Sequence, residues 1–328
     1  MRGSYNLKLE SKKLSFQIAI QRNITIIRGD SGTGKSTLIN MLINAKREYS
    51  PYTVECNVDY HAFNSNNFSA FDYTKCSNSI VFIDEDVNIL KTPEFASIVK
   101  KSDCYYVLIT REKLQNLPYS CNAVYELYTE SSKQKVAKHL TFTRMYYDFV
   151  NAKDSKVYDK ITHIVTEDSN SGAQFFTATA NANKIVCTAA GGNSNIAKHI
   201  EDELTGMNTG SMLAIVDGAA IGPYYDDIEK LIHMYRNLVV YLPESFEYIL
   251  LKSKLFSTSN ISEIITRPYN YIESQDYFSW ERFFTALLQE VSKGTEYEYS
   301  KHILKKAYLS KYARDCILAV LPSSFNLH

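Results

Sequence analysis

The sequence predicts an α/β protein with an N-terminal parallel sheet, a second, smaller doubly wound parallel sheet and a helical C-terminal segment. Short apolar, β-branched runs alternate with stretches of helical spacing along most of the chain, as in parallel sheets covered by helices. A glycine-rich loop joins one strand to a helix near residue 30. Acidic residues and glycines follow several later strands directly, at the edge where ligands of open α/β sheets bind.

Composition limits the class of protein. A length of 328 residues suggests more than one domain, and we predict domains at 1–150, 151–260 and 261–328. The 36 Lys and Arg balance the 36 Asp and Glu, which excludes a strongly basic nucleic-acid-binding surface but leaves room for a local patch. No apolar run reaches the roughly 20 residues that span a bilayer, and the six cysteines form no C-x-x-C pair. We therefore expect a cytoplasmic protein with reduced thiols and no membrane partner.

The elements of the first domain follow from the apolar runs and their spacing. We predict strands at Leu14–Ile20, Asn23–Ile27, Tyr52–Cys56, Tyr105–Ile109 and Ala123–Tyr128, and helices at Lys35–Ala45 and near Pro93–Lys101. The polar segment Asn57–Asn78 is expected to be a surface excursion. The alternating residues Leu140–Tyr146 suggest one more strand at the sheet edge.

The loop before the first helix matches the phosphate-binding pattern G-x-x-x-x-G-K-[ST] at every position. Its residues are Gly29, Asp30, Ser31, Gly32, Thr33, Gly34, Lys35, Ser36 and Thr37. Glycines let successive N–H groups point at an anion, and the helix N-terminus adds a positive end. The pattern predicts that Lys35 reaches the β- and γ-phosphates and that Ser36 ligates Mg²⁺. The alternative is a glycine-rich turn that matches by chance.

A second motif follows at Ser79–Asp86, a short apolar run that ends in carboxylates. The two motifs together resemble the Walker A and Walker B motifs of P-loop NTPases. The resemblance implies that Asp84 supports Mg²⁺ and that Glu85 orients the attacking water as a general base. The alternative is a buried strand followed by an acidic loop. ATP is favoured over GTP because the chain has no N-K-x-D guanine-specificity motif.

Two polar residues follow the Tyr105–Ile109 strand. One division of P-loop proteins has an extra strand between the two Walker strands, and a polar residue at the end of that strand senses the γ-phosphate. By this resemblance, Thr110 is the candidate for that role. Arg111 is a candidate to neutralise phosphate charge or to reach a neighbouring subunit. The alternative is that Thr110 only ends a strand and that Arg111 pairs with an Asp.

The second domain contains four successive strand–helix units. Glu167 follows the first strand, Gly191-Gly192 the second and Asp217 the third, while Glu247 or Glu244 follows the fourth. This pattern resembles the TOPRIM fold of topoisomerases, primases and OLD-type nucleases. The resemblance implies that Glu167, Asp217 and Glu247 hold Mg²⁺ for phosphodiester chemistry. Ala219 departs from the family pattern, which has a second Asp there. The alternative is that these acids and glycines only cap helices.

The last region is expected to be helical over Tyr277–Val291 and Tyr299–Val320, with apolar stripes at helical spacing. We expect these helices to pack on the second sheet or on a partner subunit. A nucleic-acid-binding helix is the alternative.

Three functions are compatible with these motifs. The first is an ATP-binding, ATP-hydrolysing protein whose nucleotide state controls a TOPRIM-like domain; by resemblance to prokaryotic nucleases that act against foreign DNA, DNA is then a partner. The second is a nucleotide-gated binding or scaffold protein without nuclease activity. The third is a small-molecule kinase, which the acidic pair after the Walker B strand disfavours. A homo-oligomer or a partner protein is compatible with the first two, and Arg111 is the residue to test across a subunit interface.

Overall fold

The computed structural model describes residues 1–30, 32–70, 72, 75–129, 138–144, 160–256 and 260–327. The chain divides into two compact units, one of Met1–Asp148 with Arg267–Ser279 and one of Phe149–Thr266 with Trp280–His328. The predicted boundary at 260/261 does not coincide with this division, because residues 267–279 fold against the first unit. There the Gly3 N–H donates to the Tyr269 carbonyl (2.7 Å) and the Asn23 amide to the Phe278 carbonyl (2.9 Å). The predicted boundary at residue 150 lies outside the described residues.

The first unit is built on a nine-stranded sheet in the order β4-β1-β2-β9-β8-β3-β7-β6-β5. Its strands are Tyr5–Glu10 (β1), Leu14–Ile20 (β2), Ile24–Arg28 (β3), Thr53–Glu55 (β4), Tyr60–Phe63 (β5), Ile80–Ile83 (β6), Tyr105–Ile109 (β7), Val124–Thr129 (β8) and Lys138–Arg144 (β9), and its helices include Lys35–Ala45 (α1) and Pro93–Lys101 (α2). The predicted α/β class is confirmed, as are the bounds of β2, α1 and α2.

Five neighbouring strands of this sheet, β8, β3, β7, β6 and β5, run parallel. Every residue of β3, β6 and β7 is buried, which explains why their sequences are mainly apolar rather than alternating. Strand β7 lies between β3 and β6. The carboxyl ends of these three strands therefore open at the same edge of the sheet.

Two predictions for the first unit are wrong. Strand β9 does not lie at the edge, because it pairs parallel with β2 and antiparallel with β8. The segment Asn57–Asn78 is more than a surface excursion, since β5 within it pairs with β6 from Tyr60↔Ile80 to Phe63↔Ile83. Only Tyr60 of β5 is buried, so this edge strand lacks the apolar run that marks its neighbours.

The second unit contains a four-stranded parallel sheet in the order β11-β10-β12-β13, which confirms the predicted small parallel sheet. Its strands are Ile161–Thr166 (β10), Val186–Ala189 (β11), Ser211–Ile215 (β12) and Leu238–Tyr241 (β13). Its helices include Ser171–Ala182 (α3), Ile196–Gly206 (α4), Tyr225–Met234 (α5), Phe246–Lys252 (α6), Ile261–Thr266 (α7), Trp280–Ser292 (α8) and Lys311–Leu318 (α9). Within the described ranges, no helix combines the length and apolarity needed to cross a bilayer.

The predicted helix Tyr299–Val320 is wrong over its first half. Residues 299–305 form no helix, Lys306–Leu309 form a short 3-10 helix, and α9 covers only Lys311–Leu318. The backbone of residues 302–304 bonds to α3 instead: the Gln174 amide donates to the His302 carbonyl (2.7 Å) and accepts from the Leu304 N–H (3.0 Å). These tertiary bonds take the backbone groups that a helix would have used.

Candidate functional site

In the first unit, the loop after β3 turns sharply into α1. Gly29, Gly32 and Gly34 have φ values of 132°, 85° and 95°, a region that glycine enters without steric cost. The Leu38 N–H donates to the Gly34 carbonyl (2.9 Å) and closes the first turn of the helix. The backbone N–H groups of the first turn, before Leu38, have no carbonyl partner within the helix. The predicted loop residue Ser31 lies outside the described residues.

The Lys35 side chain lies inside this loop. It is 4% exposed, and its ammonium donates to the carbonyls of Gly29 (2.6 Å) and Asp30 (2.7 Å) and to Thr33 Oγ1 (3.3 Å). Burial lowers the pKa of Lys35, while the nearby Glu85 carboxylate opposes that shift. The cation is therefore held among the residues predicted to bind phosphate.

Asp84 brings a carboxylate to the same loop from the end of β6. It is 4% exposed, its carboxylate accepts from the Glu85 N–H (2.8 Å), and the Ser36 side chain lies close to it. Burial raises the pKa of Asp84, and the Glu85 N–H and the nearby Ser36 side chain oppose the shift. The hydroxyl and carboxylate oxygens together are the hard ligands that suit Mg²⁺, so the residues predicted to hold this ion fit it.

Glu85 and Arg111 form an ion pair at the same edge. The Arg111 guanidinium contacts the Glu85 carboxylate at two points, Nε to Oε2 at 3.4 Å and NH2 to Oε1 at 3.5 Å. The partner of Arg111 is thus the predicted general base rather than an Asp. Thr110 is buried, and its hydroxyl accepts from the Glu112 N–H (2.9 Å), as expected of a residue that ends a strand. A groove of about 370 Å³ opens beside these side chains.

In the second unit, the structure brings Glu167, Asp217 and Glu247 to one small cavity. Glu167 follows β10, Asp217 lies two residues beyond β12, and Glu247 lies in the first turn of α6. Because β10 and β12 are neighbouring parallel strands, their carboxyl ends meet. The cavity measures about 30 Å³, room for one or two water molecules. We call it the acidic pocket.

Gly218 allows the chain after β12 to approach the loop that leads to α6. Its N–H donates to the Pro243 carbonyl (2.6 Å). A Cβ at Gly218 would lie 2.9 Å from that oxygen and 3.0 Å from the Leu242 carbonyl oxygen, closer than any side chain tolerates. A glycine is therefore needed at position 218 for this close approach of the backbone next to Asp217. The next residue, Ala219, is buried and supplies no acid.

Two of the predicted metal ligands, Glu167 and Glu247, accept hydrogen bonds from groups of the protein itself. Glu167 Oε2 accepts from the Asp217 N–H (3.0 Å). Burial raises the pKa of both carboxyls, and the charge of Glu167 raises that of Asp217 further. Glu247 is 2% exposed, and its Oε1 accepts from the Tyr299 hydroxyl (2.8 Å) and from Thr285 Oγ1 (3.0 Å).

Lys301 also lines the acidic pocket, a contribution that sequence reasoning missed. Its ammonium is paired with the Glu281 carboxylate. Burial alone would lower the pKa of Lys301, but the charges of Glu281, Glu247 and Asp217 raise it. No local signal in the sequence distinguishes Lys301 from the solvent-facing lysines of the helix that was predicted there.

These residues do not fit the two-metal centre that the TOPRIM resemblance implies. Two-metal cleavage needs several free carboxylate oxygens around ions about 4 Å apart. Glu247 is instead bonded to two hydroxyls, and Lys301 already brings a cation to the pocket. Over the described part of the chain, no cluster of three or more His, Cys, Asp or Glu side chains is arranged to hold a metal ion.

Comparison with known proteins adds no family to these observations. No protein-family model matches the chain, and no curated protein sequence is significantly similar to it. The resemblances to P-loop NTPases and to TOPRIM domains therefore rest on the residues and contacts described above.

Proposed function

We propose that the first unit binds ATP with Mg²⁺ and hydrolyses it. The observation that carries this proposal is the proximity of Ser36 of the glycine-rich loop to the buried Asp84 carboxylate at the end of β6. A glycine-rich turn that matched the pattern by chance would not need a buried carboxylate from a strand two positions away in the sheet. The position of β7 between β3 and β6 supports the same proposal, because it is the strand order expected from the sequence resemblance.

Each side chain then has a role in hydrolysis. Lys35 and the loop N–H groups bind the phosphates, and Ser36 and Asp84 would hold Mg²⁺, which neutralises phosphate charge when bound. Glu85 takes a proton from the water that attacks the γ-phosphorus. A bond forms from the water oxygen to that phosphorus, and the bond to the β–γ bridging oxygen breaks to give ADP and phosphate. Arg111 acts as a positioning residue, because its two contacts fix the orientation of the Glu85 carboxylate.

For the second unit we favour a binding or scaffold role, controlled by the nucleotide state of the first unit, over DNA cleavage. The convergence of Glu167, Asp217 and Glu247 supports the TOPRIM-like interpretation of the sheet. Their hydrogen bonds and the nearby ammonium of Lys301 speak against metal-dependent chemistry at this place. The buried, uncharged Ala219 argues in the same direction.

Calorimetric titration with ATP and Mg²⁺ tests the nucleotide site. We expect the wild-type protein to bind, Lys35→Ala to lose most of its affinity, and Lys46→Ala to bind normally. Lys46 is a matched control because it follows α1 and pairs with Asp59 at the surface (2.9 Å). Equal affinity in all three proteins would contradict the assignment of the loop.

A cleavage assay distinguishes the two candidate roles of the second unit, a binding or scaffold role and DNA cleavage. Purified protein is incubated with plasmid DNA, ATP and either Mg²⁺ or Mn²⁺, and we expect no nicking above that of the Glu167→Gln variant. Nicking by the wild-type protein that Glu167→Gln abolishes would replace the scaffold role with a nuclease.

A further inference from the structure

Positive charge is concentrated in one stretch of the second unit. Residues 301–314 contain five Lys and Arg and no Asp or Glu, in a chain of zero net charge. Two of these cations have partners elsewhere: Lys301 pairs with Glu281, and Lys305 pairs with Glu298 in an exposed contact (2.9 Å). Because an exposed ion pair contributes little free energy, an incoming phosphate can replace Glu298 beside Lys305.

The other three cations of this stretch have no carboxylate partner. Lys306 and Lys311 are exposed and Arg314 is half-buried, and no acid in the described ranges forms an ion pair with any of them. Asp315 is the only acid between residues 299 and 328, so it offsets one of the three charges at most. Uncompensated charge of one sign on a surface attracts a partner of the opposite sign.

The local fold brings these cations to one place. Lys306–Leu309 form a single 3-10 turn that leads directly into α9. The Tyr308 hydroxyl in this turn donates to the Tyr297 carbonyl (2.6 Å), and the centroids of the two rings are 5.3 Å apart. On α9, Arg314 follows Lys311 by three residues, a spacing that makes them neighbours on the helix surface. We define the basic surface as Lys305, Lys306, Lys311, Tyr312 and Arg314.

The basic surface also presents an aromatic ring to solvent. Tyr312 is 67% exposed and Ile303, in the same stretch, is 70% exposed. The Tyr312 side chain follows Lys311 directly and lies near Tyr297. Cations beside an exposed aromatic ring are the groups that single-stranded nucleic acids use, since the cations contact phosphates and a base stacks on the ring.

We propose that the basic surface binds single-stranded nucleic acid. Lys306, Lys311 and Arg314 contact the phosphates, and Tyr312 stacks on a base. An acidic peptide would satisfy the charges but would offer no planar base to the exposed ring. Because every base has a stacking face, binding is tolerant of sequence. The proposal rests on the binding or scaffold role of the second unit and names its partner; it is independent of ATP hydrolysis by the first unit.

Fluorescence anisotropy of a labelled oligothymidylate tests the proposal. The oligonucleotide is longer than the roughly 4–16 nucleotides that one such site covers. The full-length protein is titrated at several salt concentrations, in EDTA and without ATP, so that neither ATP hydrolysis nor metal-dependent cleavage contributes to the signal. Failure of this experiment is therefore distinct from failure of the ATP titration or of the cleavage assay.

The variants separate the charges of the basic surface from charge in general. Lys306→Gln/Lys311→Gln removes two of its cations. Lys198→Gln/Lys230→Gln is the matched control, because it changes the net charge equally at exposed lysines of α4 and α5. Tyr312→Ala removes the ring, and Tyr312→Phe keeps its stacking face.

We expect the wild type to bind the oligonucleotide with an affinity that falls as salt rises. Lys306→Gln/Lys311→Gln should bind about tenfold or more weakly at low salt. The slope of log affinity against log salt should become shallower by about 1.4, since each phosphate contact to a single strand contributes about 0.7. The Lys198→Gln/Lys230→Gln control should match the wild type. Tyr312→Ala should bind about fivefold or more weakly and Tyr312→Phe as tightly as the wild type.

Four results would overturn the proposal. The first is a wild-type protein that does not bind the oligonucleotide at low salt, including one that binds vesicles of anionic lipid instead. The second is an equal loss of affinity in both double variants, and the third is wild-type affinity in Tyr312→Ala. The fourth is competition by poly-glutamate as effective as that by unlabelled oligothymidylate, which would assign the surface to an acidic peptide. Circular dichroism confirms that the variants fold, as expected for substitutions of exposed side chains.

Discussion

The Ser36 side chain lies beside the Asp84 carboxylate and so brings the first turn of α1 to the end of β6. These residues are far apart in the sequence. In the sheet, β7 lies between β3, the strand that precedes α1, and β6, the strand that precedes Asp84. The contact exists because β3, β7 and β6 are parallel and end at a common edge. It places the ligands predicted for Mg²⁺ side by side, next to the loop that holds Lys35.

The Ser36–Asp84 contact leads to a prediction about Mg²⁺ dependence. Ser36→Ala should lower ATP affinity in Mg²⁺ by roughly tenfold or more, since a hydrogen bond or ligand contact to a charged group contributes about 1.5–3 kcal/mol. In excess EDTA the affinity should match that of the wild type. Titration of a fluorescent ATP analogue with and without Mg²⁺ measures both. Ser36→Thr keeps the hydroxyl and should retain the Mg²⁺ effect; an Mg²⁺ effect of wild-type size in Ser36→Ala would refute the role of Ser36.

Gly218 is predicted to be essential for the geometry of the acidic pocket. Gly218→Ala should lower the free energy of unfolding by about 1–3 kcal/mol, because an added methyl group has to displace the backbone after β13. Gly206→Ala is the control, since a Cβ at Gly206 meets nothing within 4 Å. Urea unfolding of both variants measures the difference. Equal stability would show that the close approach to Pro243 and Leu242 is not required.

The buried carboxyls predict a pH dependence. Burial raises the pKa of Glu167 to about 7, so between about pH 4.5 and 7 the folded protein holds a proton that the unfolded chain releases. The contribution of Glu167 to the free energy of unfolding is therefore most favourable at low pH, and it falls as the pH rises toward 7. Relative to Glu167→Gln, the wild type should lose about 1–3 kcal/mol of unfolding free energy across this range.

Urea unfolding of the two proteins at several pH values measures this difference. The other carboxyls are common to both proteins, so their titration cancels in the comparison except at Asp217, whose pKa the charge of Glu167 raises. A difference that stays constant from pH 4.5 to 7, or that grows in favour of the wild type, would exclude a raised pKa at Glu167.

The sequence predicted those parts of the fold whose signals are local. The glycine loop and the periodic apolar residues after it define α1, and its observed bounds are the predicted ones. Glu167, Asp217 and Glu247 were expected at one sheet edge because each follows a strand of a parallel sheet, and the structure brings all three to one pocket.

Features that depend on distant residues could not be predicted in this way. Strand β9 lies inside the sheet because β2 covers its other side, a pairing for which the alternation of Leu140–Tyr146 gives no sign. Lys301 faces carboxylates because residues 299–304 bond to Ser171 and Gln174 rather than forming a helix. In each case a tertiary contact overrides the local pattern.

Steady-state ATP turnover by the wild type and Glu85→Gln, with Mg²⁺ and no added phosphate acceptor, tests the central claim most directly. We predict repeated turnover by the wild type, and ATP binding with turnover lowered about 10²–10⁴-fold in Glu85→Gln, as for loss of a general base. Asp86→Asn is the control and should turn over normally, because Asp86 is bonded to Ser65 at the surface. ATP binding without turnover by the wild type, or full turnover by Glu85→Gln, would contradict the proposed hydrolysis at this site.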